Sequence, residues 1–438
     1  MQKIDLTKGN VVPVLISLAL PVMGGSVLQF GYSLIDMLWV GRLGTNAVAS
    51  VGSSSFFMGL GYAINALVVV GTGIKVSHKV GEGNETAARG YINAGLILNL
   101  IISLIYCSIL FGFSHRFIGF LGLNNEIVEQ QSNLYLKWSA VSLFFIFLNT
   151  LFARIFGSYG NNKEVLKLSG IGTIVNIILD PVLIYGARLG VSGAAIATLI
   201  ASIVTSILYL VRGRAIINYD KTVKASFENF KEICRLGFPM AFQRILFTLV
   251  NIMLAKIIAS FGAEAIAAQK IGLQVESVML MVIGGLNGAM ASFTGQNFGA
   301  KKYDRMLKGY NIAIAMGISY AIVTGVLFWI FPQQIGALFV SDELTIAITV
   351  GYLKVIAVTL AFAAVEMISN GFFAGLGQPK VSAIISITFT ILRLPIALLL
   401  TSYYGIYGVW LSIAITSALK GISARSYYEI KIKRSIST

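Results

Sequence analysis

Asn176 and Asp180 stand four residues apart, directly before Pro181, in an apolar run from about residue 165 to 185. At that spacing they share one face of a helix. Pro181 has no N–H to give to the carbonyl of Ile177, so that oxygen is left free beside the carboxylate. A carboxylate, an amide oxygen and a spare carbonyl make a corner of hard oxygen donors, suited to a hard cation or an exchangeable proton. An acid at membrane depth costs about 2.5–3.5 kcal/mol on insertion scales, so its presence marks a functional site.

Four acids fall inside apolar runs: Asp36, Asp180, Glu276 and Glu366. For a chain that starts in the cytoplasm, Asp36, Asp180 and Thr198 each lie about 9–12 Å below the outer surface, at 1.5 Å per helical residue. Tyr135 is near the same level. Asp36, Asn176, Asp180 and Thr198 can therefore converge. Hydrogen-bonded contacts between helices are the plainer reading, but spans 1, 5 and 6 hold no basic residue near that level to neutralise two acids. Such a pair must hold a proton or a metal cation. Glu276 and Glu366 differ, because Arg244, Lys256, Lys270, Lys354 and Arg393 share their half of the chain. An ion pair of Glu276 with Arg393 or Arg244 is one expectation. Lining a path for cationic substrates is the other.

The elements that carry these residues are membrane spans. The chain of 438 residues is 56% hydrophobic and 12% charged, with a mean hydropathy of +0.82. Soluble domains carry about 25% charged residues. Apolar runs of about 20 residues predict twelve spans, near 12–40, 46–74, 90–113, 131–157, 165–187, 190–211, 236–260, 264–296, 306–331, 344–374, 381–403 and 405–426. Most of the Lys and Arg residues fall in alternate loops and both termini, with Arg42, Arg116, Lys137 and Arg188 in the opposite set. That asymmetry places both termini in the cytoplasm. It also accounts for the net charge of +15 without nucleic acid. The fold class expected is an all-α polytopic membrane protein.

The two halves repeat. A slide of 218 residues puts Pro21 on Pro239, Gly44 on Gly262 and Gly81 on Gly299; a slide of 215 puts Gly190 on Gly405. Six spans in each half make parallel repeats, with substrate sites expected between them. The expected organisation is an N-terminal six-helix bundle over 1–211, a cytoplasmic linker over 212–235 and a C-terminal bundle over 236–438. The second-half matches of Asp36 and Asp180 are read as Leu254 and, beside Pro395, Leu394, so the second bundle lacks the acid pair. Pro21, fifteen residues before Asp36, is either a hinge or a fixed kink.

Other chemistries find no support. Gly71-Thr-Gly73 and Gly81-Glu-Gly83 lack the Gly-Lys-Ser/Thr that a phosphate loop needs. His78 and His115 fall on opposite sides of the membrane. Cys107 and Cys234 are not expected to pair, and the first apolar segment is expected to stay as an anchor. No nucleophile–base set suggests an enzyme, and no cofactor beyond a coupling ion is expected.

Four stretches stand out, Asp36-Met-Leu-Trp-Val-Gly-Arg-Leu-Gly44, Asn176-Ile-Ile-Leu-Asp-Pro181, Gly295-Gln-Asn-Phe-Gly-Ala300 and Gly375-Leu-Gly-Gln-Pro-Lys380. Taken together and in order, they resemble the multidrug and toxic compound extrusion (MATE) family. The resemblance implies two pseudo-symmetric six-helix bundles forming a V-shaped cleft. It also implies a monomer in the cell membrane that exports organic cations and other drugs in exchange for Na⁺ or H⁺. It carries a cation site onto Asp36, Asn176, Asp180 and Thr198, a bending proline onto Pro21, and cleft or site-adjacent positions onto Gln29 and Tyr135. Glu276 and Glu366 resemble acids of bacterial members. Some members add a glutamate in span 7, where this chain has Gln243, Arg244 and Lys256. A flippase for a lipid-linked precursor, from the wider superfamily, is the alternative.

Overall fold

The computed structural model describes residues 4–123, 125–217 and 219–437. Among these, twelve helices are long and apolar enough to cross a membrane. The first six are α1 (Val11–Gly41), α2 (Thr45–Gly81), α3 (Glu85–Phe120), α4 (Glu126–Ser158), α5 (Asn162–Pro181) and α6 (Val191–Arg212). The second six are α7 (Phe227–Ala259), α8 (Ala263–Gly299), α9 (Tyr303–Ile330), α10 (Glu343–Gly375), α11 (Pro379–Tyr404) and α12 (Ile406–Tyr427). The chain is a multi-pass membrane protein.

Short polar segments start and stop the helices. Asn84 caps α3 by accepting from Ala87 N at 2.9 Å, and Asp342 caps α10 by accepting from Thr345 N at 2.8 Å. Gly44 and Gly262, both at φ 103°, turn the chain into α2 and α8. Only glycine enters that region at no steric cost.

Two compact units emerge, one built mainly of Pro21–Ala241 and the other of Leu6–Leu20 with the chain from Phe242 onward. The division falls inside two helices, between Leu20 and Pro21 in α1 and between Ala241 and Phe242 in α7. In the first unit α4 is the hub, packed on α2, α3 and α6, while α5 lies on α6. In the second unit α10 takes that place against α8, α9 and α12, with α11 on α12.

The polar segment before α7 is tied to the first unit. Asn93 donates to Asp220 O and Val223 O at 2.8 and 2.7 Å, and Arg89 donates to Ile216 O at 2.8 Å. The second unit uses the Gln296–Asn297 pair in a related way. Gln296 Oε1 accepts from Leu6 N at 3.1 Å and Asn297 donates to Leu6 O at 3.3 Å. These amides satisfy the backbone of a segment that has no helix of its own.

Helix ends run past the apolar stretches. Helix α7 begins at Phe227 rather than near 236. After α12 the chain continues as a π-helical turn, Tyr428–Lys433. Arg425 and Lys433 both bridge to Glu429, at 2.5 and 3.0 Å, in the i,i+4 spacing that supports an exposed helix.

Candidate cation site

Four elements of the first unit position the site. Helix α5 ends at Pro181, and Val182–Gly186 follows as a π-helical turn in which Ala187 N donates to Val182 O at 2.8 Å. Such a turn is the expected response to a proline that breaks the α ladder. Gly193 of α6 presses against this turn; a Cβ there would stand 2.8 Å from Leu183 O. Gly172 of α5 lies equally close to Thr205 of α6, whose Oγ1 would meet a Cβ at 2.0 Å. The two glycines let α5 and α6 approach until Asn176 and Thr198 touch.

Asn176 Nδ2 donates to Thr198 Oγ1 at 3.3 Å and to Tyr32 Oη at 2.8 Å. Tyr32 and Thr198 hydroxyls lie 3.3 Å apart, and Thr198 also donates to Ala194 O at 3.1 Å. The amide nitrogen is thus fully engaged, and its oxygen turns the other way. Asn176 Oδ1, Asp36 Oδ1 and both carboxylate oxygens of Asp180 are buried with no hydrogen-bond partner. Asp180 is 0% exposed. The Asp36 carboxylate acts electrostatically on Asp180, and among the described residues no basic side chain pairs with either acid.

Unpartnered buried oxygens cost about 1–3 kcal/mol each, and more when charged. A cation or a proton bound here would satisfy them. No three His, Cys, Asp or Glu residues cluster among the described residues. The donor set is therefore two carboxylates with neutral oxygens, which fits Na⁺ or H⁺ rather than a soft transition metal.

Beside this corner lies a cavity of about 410 Å³. Tyr32, Asn176 and Thr198 form part of its wall, as do Gln29 and Tyr135. The rest is largely uncharged polar groups and small residues, including Asn149, Ser169, Ser202 and Thr205. None of the lining side chains carries a charge.

The family model MatE matches residues 21–182 and 239–399, most of both halves. The chain belongs to the MatE family. It is 28% identical over 408 residues to "Probable multidrug resistance protein NorM" of Thermotoga maritima, covering 91% of this chain and 88% of that one. It is 26% identical over 437 residues to the "FAD transporter" of Shewanella oneidensis, covering 95% and 93%. In fold it resembles a MOP superfamily transporter from Pyrococcus furiosus with a TM-score of 0.93, at 23% identity over 100% of this chain and 99% of that one.

Of the residues expected at the site of this MatE chain, Asn176 and Thr198 touch in the first unit, Asp180 stands one turn after Asn176 on α5, Asp36 one turn after Tyr32 on α1, and Gln29 and Tyr135 line the adjoining cavity. Pro21 is buried within an unbroken α1, fifteen residues from Asp36. Glu276 and Glu366 lie in the second unit, each held by a partner there. Glu276 accepts from Tyr352 at 2.7 Å, and Glu366 accepts from Ser386 at 2.8 Å. Arg393 acts electrostatically on both acids. Tyr32 is the contributor that the sequence reading passed over. It stands one helical turn before Asp36, at i,i+4, which is the signal that could have found it.

Proposed function

We propose that this MatE-family chain is a secondary active multidrug exporter. It moves small hydrophobic, often cationic compounds out through the cell membrane in exchange for Na⁺ or H⁺, by alternating access. One observation supports the reading: oxygens of Asp36, Asp180 and Asn176 are buried without a hydrogen-bond partner in the bundle that holds a polar cavity with no charged group on its wall. Asp36 and Asp180 hold the coupling ion, while Asn176 and Thr198 complete its oxygen shell and fix the carboxylates' setting. Gln29 and Tyr135, on the cavity wall, meet substrate. Glu276 and Glu366 are held inside their own bundle, which leaves them less free to do so. In this scheme both termini are cytoplasmic, the functional halves are residues 1–211 and 236–438 with 212–235 as a cytoplasmic linker, and the protein works as a monomer.

The name of the Thermotoga maritima relative supports drug transport. That of the Shewanella oneidensis relative points to an anionic dinucleotide. An anion or a lipid pyrophosphate needs basic groups for recognition, and the cavity wall has none. The wall therefore favours neutral or cationic cargo.

The test is ethidium accumulation in cells stripped of their own pumps, beside a flipping assay with a lipid-linked pyrophosphate in liposomes. Expression should lower ethidium severalfold and leave the lipid unflipped. Lipid flipping without an effect on ethidium would replace the exporter with a flippase. Pro21 serves as the hinge of α1. Pro21→Ala should slow ethidium efflux severalfold at an unchanged yield of folded protein, whereas wild-type efflux would make the proline a fixed bend.

A further inference from the structure

The repeat can be followed residue by residue in the structure. Helices α4 and α10 both have 33 residues and start at 126 and 343, a shift of 217. The same shift relates the starts of α5 and α11 at 162 and 379, and Gly160 and Gly377 before them with φ 78° and 76°. Helices α2 and α8 both have 37 residues and start at 45 and 263, a shift of 218. Helices α6 and α12 both have 22 residues and start at 191 and 406, a shift of 215, after Gly190 and Gly405 at φ 56° and 57°. In this register Asp180 matches Ala397, not Leu394, because the π turn gives the first half extra residues after Pro181.

The second bundle holds a polar network of seven side chains. Besides the Glu276–Tyr352 and Glu366–Ser386 hydrogen bonds, Arg393 Nε donates to Thr416 Oγ1 at 2.9 Å. Lys420 Nζ lies 3.9 Å from Glu366 Oε1. Arg393 is 6% exposed and Lys420 4%. The two acids and two bases cancel in charge.

Carried back through the register, Glu276 falls on Met58, Glu366 on Asn149, Arg393 on Asn176 and Lys420 on Thr205. The three neutral members, Tyr352, Ser386 and Thr416, fall on Tyr135, Ser169 and Ala201. All seven of these first-bundle positions line the 410 Å³ cavity. At four of these places the second bundle carries a charged side chain where the first has a neutral one bounding the open space, and Arg393 and Lys420 are also longer than Asn176 and Thr205.

We infer that Arg393 and Lys420 are built-in counter-cations for Glu276 and Glu366, filling the second bundle's counterpart of the cavity so that this bundle takes no exchangeable ion. Arg393, in register with Asn176, supplies from within the chain a positive charge that the wall of the first bundle's cavity lacks. A buried carboxylate left without its base is strongly destabilised, whereas removing both partners of a buried pair is often tolerated. Without its two bases, the second bundle becomes a latent cation site: two acids beside a vacated space.

The experiment measures unfolding of the detergent-solubilised full chain in NaCl against choline chloride of equal ionic strength. It uses an Asp36→Asn/Asp180→Asn background, so the first bundle's acids take no part, and it is decided whether or not those acids drive transport. The background protein should be indifferent to Na⁺. Adding Arg393→Asn and Lys420→Thr should lower the unfolding midpoint by several degrees in choline, with part of the loss recovered in Na⁺. Adding Glu276→Gln and Glu366→Gln as well should restore the midpoint and remove the Na⁺ response. A Na⁺ response in the background protein would overturn the inference. So would indifference to Na⁺ in the base-free variant, or a fully neutral variant no more stable than the base-free one. If the base-free variant does not fold, recovery of folding in the neutral variant supports the inference and continued failure overturns it.

Discussion

Asp180→Asn protein, reconstituted in vesicles, is expected to lose its power to concentrate ethidium against a gradient, and Asp36→Asn is expected to fail in the same way. An amide keeps the size and part of the hydrogen bonding of the carboxylate but cannot balance a cation. Each charge moved through 100 mV is worth about 2.3 kcal/mol, which is roughly a 50-fold concentration ratio at 1.4 kcal/mol per tenfold. Losing one coupled charge should therefore cut the ethidium ratio by about that factor at such a potential. The fold should survive. Asp180 is fully buried with both oxygens unpartnered, and a neutral amide is cheaper to keep there than an uncompensated charge. An unchanged ethidium ratio in both variants would remove the coupling role from these acids.

Asn176→Arg should be nearly as severe for transport and gentler on the fold. Asn176 stands where the second bundle has Arg393, and it lines a cavity with room for a longer side chain. A guanidinium at that point would lie beside Asp180 on the same helix face and supply a permanent counter-charge to the acid pair. We expect gradient-driven ethidium transport to fall at least tenfold while the unfolding midpoint stays at or above that of the unsubstituted protein. Vesicle uptake and thermal unfolding measured together check this. Full coupling with an arginine at 176 would mean that the acids do not need to be free of fixed positive charge.

Much of this site could be read from the chain because acids in apolar runs are costly and conspicuous. Asp36 and Asp180 stood out for that reason, and Pro181 marked the break in α5 beside them. Tyr32 did not stand out, since a tyrosine in a membrane helix has many ordinary uses. Its part depends on reaching Thr198 and Asn176 across two other helices. The cavity was illegible for a different reason. Asn149, Ser169 and Thr205 are the neutral polar residues that commonly join membrane helices, and the sequence has no symbol for the space between them. Arg393 shares its half of the chain with Glu276 in the sequence, but its match to Asn176 rests on where the helices start. The slide anchored on Pro181 and Pro395 is shifted by the π turn. Helix ends depart from the apolar runs where polar residues continue the helix: α7 starts within the charged linker, and Glu429 bridges to Arg425 and Lys433 around the end of the last apolar run.

Binding of an exchangeable cation by Asp36 and Asp180 can be followed directly through Trp39. Trp39 is one helical turn from Asp36, with its indole nitrogen buried and unpartnered and the Tyr185 ring 6.0 Å away. With Trp138, Trp329 and Trp410 replaced by Phe, its fluorescence can be titrated with Na⁺ at alkaline pH and with protons in sodium-free buffer. A saturable change is expected with at least one of the two ions, abolished by Asp36→Asn together with Asp180→Asn. A flat signal under both titrations, or the same change after both substitutions, would contradict it.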